Sequence, residues 1–205
     1  MLIMPPEEVT MNKGSHISLA LFLLDREELK ELNLHKRAFL IGSILPDCIP
    51  SFLITRHTIV ETFSLLQTEF KRLTDNYNKE RGISNYFCMH LGMIMHYLAD
   101  YFTTPHNPGF VGTVKKHVEY EKELLVSIQR YFEEGAVILD KNGLDESQQR
   151  CEYILQAHYN YLNEPRELTT DCKYITNICY TVAQELVKQL IGSAITERTM
   201  QEIAA

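Results

Sequence analysis

The 205-residue chain contains no tryptophan, and its five cysteines (Cys48, Cys88, Cys151, Cys172, Cys179) are odd in number, scattered, and form no C-x-x-C pair. That spacing excludes a cysteine-built zinc site and a disulfide framework, and it predicts reduced cysteines packed in a core. Nowhere do about 18 apolar residues run together, so no transmembrane segment is expected. Positive charge is short as well: 20 Lys and Arg stand against 27 Asp and Glu, for a formal net charge of -7. An extended basic nucleic-acid surface is therefore excluded, whereas a small local anion site is not. Met1 to Thr10 reads MLIMPPEEVT, with neither a basic start nor an apolar stretch. The expectation is a cytoplasmic protein without a secretory signal, which leaves room for peripheral membrane contact.

Apolar residues make up 45% of the chain and charged residues 23%, the balance of an ordinary globular protein with a real core. Chains divide into several cores only beyond about 250 residues, so one helical domain is expected over residues 14–205, behind an N-terminal appendage at 1–13. The apolar spacing is helical. Ile59, Phe63, Leu66, Phe70, Leu73 and Tyr77 step by 4, 3, 4, 3, 4, and Ile175, Ile178, Val182, Leu186 and Leu190 repeat the pattern. No comparable period-2 run appears. Turn signals at Gly42 to Pro50, Gly82, Thr103 to Gly112, Gly143 and Pro165 divide the chain into seven predicted helices, near 16–31, 35–43, 57–80, 84–102, 113–139, 145–163 and 169–192. The predicted fold is an all-α, single-domain multi-helix bundle.

The chemistry concentrates in histidines with acids nearby. His96 and Asp100, in GMIMHYLADYFTTPH, are four residues apart on a predicted helix, about 40° apart around its axis and about 6 Å along it, so one metal ion can touch both. His106 follows Pro105, where the chain turns back toward the helix end. His117 and Glu121, in HVEYE, repeat the four-residue spacing on the next helix. Upstream, Asp47 follows Pro46 in GSILPD, His57 opens the long helix, and His16 follows Ser15 at the start of the first. Singly, each has an ordinary reading as a surface pair, a helix cap or a packed histidine. Two H-x-x-x-[D/E] pairs with a P-H between them are hard to explain as part of a purely structural bundle. Imidazole and carboxylate donors suit zinc, with manganese and iron left open. Three carboxylates carry -3 and two or three zinc ions +4 or +6, which leaves a cationic pocket for a phosphate. Zinc lowers the pKa of a bound water to about 7, and clustered divalent ions assist phosphoryl displacement.

The set SHISLA, GSILPD, RHT, GMIMHYLADYFTTPH and HVEYE resembles the bacterial zinc-dependent phospholipase C family, related to the S1/P1 nucleases, over about residues 14 to 121. The resemblance implies an all-helical fold with a zinc cluster in a cleft between helices. It implies that Asp47, His57, His96 and Asp100 hold one zinc, that His106, His117 and Glu121 hold a second, and that His16 binds a third with Asp100 as bridge. Asp47 would also be the general base acting on the attacking water. Secreted members complete the third site with an N-terminal Trp, which this sequence lacks, so two or three ions are expected.

The implied activity is a zinc-dependent phosphoric ester hydrolase acting on a phosphate-ester small molecule or a phospholipid head group. The alternative is a non-catalytic or degenerate zinc-binding helical module. A ferritin-like di-iron bundle would need E-x-x-H and an HD-type phosphohydrolase a contiguous His-Asp pair, and neither stands beside these ligands.

Outside this set, His35, His90 and His158 read as structural, and Arg56, Lys115 and Lys116 as a solvated basic face. Tyr101, Phe102 and Phe110 read as core aromatics beside the P-H loop.

Overall fold

A computed structural model describes residues 13–49, 56–135, 139, 144 and 149–204, with the backbone alone for Val114 and residues 193–204. Seven α-helices and no strand occur among the described residues: α1 Lys13–Leu24, α2 Lys36–Gly42, α3 Ile59–Leu73, α4 Asn85–Tyr101, α5 Val114–Glu133, α6 Arg150–Leu162 and α7 Leu168–Ala204. Short 3-10 turns lie at Glu27–His35, Leu45–Asp47, Lys79–Arg81 and Thr104–His106. The protein is all-α, as its periodicity predicts. No described helix is long and apolar enough to cross a membrane. The expected appendage at 1–13 lies outside the described residues except for Lys13, which opens α1.

Helix α4 is the axis of the bundle, packed by α2, α3, α7 and α1, while α5 lies on α1 and α7 and α6 on α7. Every residue of α4 from Leu91 through Tyr101 is buried. A helix covered on all sides must satisfy any polar group inside the protein, and that condition falls on His96 and Asp100. The α2–α4 crossing is close because of two glycines. A Cβ on Gly42 would lie 2.0 Å from the Met89 carbonyl oxygen, and one on Gly92 would lie 2.4 Å from that of Phe39. The two backbones touch where any side chain would separate them.

Helix α3 begins with Thr58 accepting the Glu61 amide on its side chain, and it buries Leu66, Phe70 and Leu73. Full burial of one such side chain contributes about 1.5–3 kcal/mol. Ser84 and Thr113 cap α4 and α5 in the same way.

Several helix ends differ from expectation. The first predicted helix breaks at Arg26, whose backbone is extended (φ -82°, ψ 132°), and continues as the 3-10 turns Glu27–His35. There the three-residue spacing buries Leu29 and Leu32 together. The amide of Asn33 reaches back 2.8 Å to the Leu24 carbonyl, closing α1. Helix α3 stops at Leu73 rather than 80; the last residue of its stripe, Tyr77, is buried beyond the helix end, where its hydroxyl donates to Gly82 O at 2.8 Å. Helix α5 ends at Glu133, followed by Gly135 at φ 63°, a left-handed stop that suits glycine. The cysteine expectation needs correction. All five are free and Cys88, Cys172 and Cys179 are buried, but Cys48 is exposed and Cys151 only half-buried, because their turn and helix-edge positions face outward.

Candidate metal centre

The close α2–α4 crossing brings the main chain after α2 against α4. The Nδ1–H of His96 donates to Ser43 O at 3.0 Å, which leaves Nε2 as the lone-pair nitrogen. Four residues beyond Ser43, the Leu45–Asp47 turn brings Asp47 to the same place. Nε2 of His96 lies 3.1 Å from His57 Nδ1, 3.4 Å from Asp47 Oδ1 and 3.3 Å from Asp100 Oδ2. His57 Nδ1 lies 2.9 Å from Asp100 Oδ2 and 3.7 Å from Asp47 Oδ1. These separations are five of the six edges among four donor atoms. They straddle the edge of about 3.3 Å that a tetrahedron with zinc-to-ligand bonds of about 2.0–2.1 Å would have.

His16 approaches from α1, its ring stacked on His96 with centroids 3.9 Å apart. Its Nε2 lies 3.4 Å from Asp100 Oδ1 and 4.0 Å from Asp47 Oδ2. Asp100 thus turns one oxygen to His57 and His96 and the other to His16. Two groups, His16 with Asp47 and His96, and His57 with His96 and Asp100, are compact enough to hold a metal ion.

The remaining candidates form a rim on the same end of the bundle. His117 Nε2 lies 3.0 Å from Glu121 Oε1 on α5, and the His106 ring stands edge-on to His117 with centroids 5.3 Å apart. Thr103 Oγ1 donates to Asp100 O at 2.8 Å, so it accepts the Nδ1–H of His106 at 2.7 Å, and Nε2 of His106 keeps the lone pair. One hydroxyl therefore links the deep cluster's Asp100 to the rim's His106.

The donor chemistry fits a cation. Of the eleven buried, unpartnered side-chain polar atoms among the described residues, seven belong to this set: both ring nitrogens of His16, both oxygens of Asp47, Asp100 Oδ1, His117 Nε2 and Glu121 Oε1. Leaving a buried polar atom without a partner costs about 1–3 kcal/mol, more when charged, and a shared cation removes that cost for several at once. Without one, a proton on Nε2 of His96 takes its place, and the lone pair is exposed when that proton leaves. Burial opposes protonation of His96, but the Asp100 and Asp47 carboxylates outweigh it and hold His96 up to about 10. Burial would raise Asp100, yet His96, His106 and His16 hold it well below the usual carboxylate range. His16 is lowered by burial and by His96, and burial draws the half-buried His106 down to about 4.

Several residues invisible to sequence reasoning hold this arrangement. The Asn107 amide donates to Tyr101 O at 2.9 Å and Thr103 O at 2.7 Å, and its oxygen accepts His158 Nε2–H at 2.7 Å. His158 is structural, as expected, but its work is to brace the His106 turn. Thr62 donates to Thr58 O and accepts from Tyr101, which ties the start of α3 beside His57 to α4. His90 is engaged with Glu69 and His35 with Asn85. Lys115 and Lys116 are exposed, and Phe110 packs its ring 6.1 Å from His117 rather than in the core.

The family model for zinc-dependent phospholipase C matches residues 15–179. The chain belongs to the zinc-dependent phospholipase C family. The matched span begins beside His16 and runs past Glu121, taking in every candidate ligand. No curated protein and no solved structure matches the chain.

Proposed function

We propose that this member of the zinc-dependent phospholipase C family is a metal-dependent phosphoesterase that hydrolyses a phosphate ester, a phospholipid head group included. The observation that carries the reading is the convergence of unpartnered, buried aspartate and histidine atoms on one point. In it, Asp47, His57, His96 and Asp100 hold one zinc, His106, His117 and Glu121 a second, and His16 with Asp100 a third. Bound zinc supplies Lewis acidity toward phosphate oxygens and activates a water for attack.

The chain's own residues supply the rest. Ser43 O and Thr103 Oγ1 fix which nitrogens of His96 and His106 face the ions. Asp100, with one oxygen toward His16 and the other toward His57 and His96, would serve both groups of ligands. Asp47 has both oxygens unpartnered, so one can ligate while the other takes a proton from the attacking water. The deep cluster is sealed and Glu121 is buried, whereas His106 and His117 of the rim are partly accessible, so the phosphate enters past His117 and Phe110.

The test is elemental analysis of the purified chain together with hydrolysis of a chromogenic phosphocholine ester. Two to three zinc per chain and turnover abolished by chelation are expected. Less than about half an equivalent of zinc, with none gained on dialysis against zinc, would sink the reading. Full occupancy without turnover on a panel of phosphate esters would leave a zinc-braced helical module instead. Loss of turnover in Asp47→Asn with zinc retained would separate the two.

A further inference from the structure

Asp171 lies outside every ligand motif and near the start of α7, yet its side chain reaches both halves of the rim. It is fully buried. Oδ2 accepts the Tyr120 hydroxyl, from the residue before Glu121 on α5. The same oxygen accepts the Thr104 amide at 3.3 Å and the Thr104 hydroxyl at 3.1 Å, two residues before His106. Oδ1 accepts the Tyr161 hydroxyl of α6 at 2.6 Å. The Thr104 amide also lies 3.3 Å from the Tyr120 hydroxyl, which closes the junction. Burial pushes the Asp171 carboxyl up, against the Tyr120, Tyr161 and Thr104 hydrogen bonds. The chain thus spends a buried carboxylate on holding a turn against a helix.

The geometry points to Asp171 as a positioning residue for the rim metal, one carboxylate oxygen holding the turn that bears His106 against the helix that bears His117 and Glu121. The inference rests on the rim trio holding an ion. Ligands on two separate elements keep their spacing only if those elements are tied together. Within the trio the two elements meet only through the edge-on contact of the His106 and His117 rings, since the Thr103 hydroxyl ties His106 to its own turn and Glu121 pairs His117 within its own helix. Tyr161 serves as an internal comparison, because its hydroxyl occupies the other oxygen and, although it also meets the Thr104 side chain, it belongs to α6, which carries no ligand and does not join the turn to α5.

The test is competitive titration of the full-length, metal-free chain with zinc against a calibrated chelator, with thermal melting in parallel. His117→Ala identifies the rim step as the one it removes. Asp171→Asn, nearly the same shape, is expected to weaken that step about 10- to 100-fold, the range for residues that orient ligands, and to leave the other steps within about twofold. Tyr120→Phe should weaken the same step to a smaller extent, and it keeps the inference testable should Asp171→Asn fold poorly. Tyr161→Phe should lower the melting temperature and leave zinc affinity alone. Asp171→Asn or Tyr120→Phe binding like the parent, or Asp171→Asn and Tyr161→Phe weakening every step alike, overturns the positioning role. A parent chain with no step removed by His117→Ala overturns the rim trio itself, and this inference with it.

Discussion

His96 and Asp100 on α4, and His117 and Glu121 on α5, are the same device, a histidine with a carboxylate four residues on, placed in two different surroundings. The α4 pair has fully buried side chains, sits in a helix covered on all sides, and is crowded by His16, Asp47 and His57. The α5 pair keeps 17% of the His117 side chain accessible and has a one-sided helix beneath it. Buried charge without a counterpart is among the costlier features a fold can carry, so the deep cluster is bound up with the stability of the bundle. The rim is free to serve as the open side of a site. One motif therefore takes on two roles, and burial decides which.

Substitutions can break this contrast at several depths. Asp100→Ala removes the carboxylate shared by the deep cluster and should cut phosphate-ester hydrolysis by about a thousandfold or more, the rate equivalent of about 4 kcal/mol. Zinc content measured alongside should fall by more than one ion. His96→Ala leaves Asp47 and Asp100 buried without their main partner, and should destabilise the metal-free chain by about 3–5 kcal/mol in denaturant titration. The corresponding His117→Ala should cost no more than about 1 kcal/mol. Equal losses for the two would erase the distinction between depth and rim. Gly92→Ala drives a methyl group into the Phe39 carbonyl and should cost about 1–3 kcal/mol, weakening zinc at the deep cluster before the rim.

The two regions also differ in the sign of their pH dependence when no metal is bound. His96 is held up to about 10, so its contribution is complete below pH 6.5 and is lost as pH rises toward 10. His106 is drawn down to about 4, so the unfolded chain takes up that proton first, and stability is lost as pH falls from 6.5 toward 4. In the metal-free state His106→Gln should therefore gain on the parent as pH drops through that window, measured by paired melting curves, and the advantage should vanish above pH 7. The smallest effects belong to the caps. Thr58→Ala at the head of α3 and Thr113→Ala at the head of α5 should each cost about 1 kcal/mol in melting experiments, without changing the zinc count.

Much of this was legible in the chain itself. Helical periodicity and turn residues predict seven helices and no strands, the four-residue spacings single out His96 with Asp100 and His117 with Glu121, and the family resemblance adds Asp47, His57, His106 and His16 to them. What stays hidden is whatever depends on contact between distant segments. Nothing around Asp171 resembles a ligand motif, because its partners Thr104, Tyr120 and Tyr161 come from three other elements. Ser43 contributes a backbone carbonyl, which no side-chain pattern records. The break at Arg26 escaped the periodicity argument because Leu29 and Leu32, three residues apart, suit an α-helix and a 3-10 turn equally well.

The contact of Gly42 and Gly92 has a mechanical consequence. Side chains can relax through rotamer changes, but two main chains already touching cannot be brought closer, and the helices on either side resist being pulled apart. The Ser43 carbonyl and the His96 ring ride on that contact from opposite sides. The registry of the deepest histidine is thus gauged by peptide planes, and an ion bound there would meet a ring already aimed, with little reorganisation left to perform.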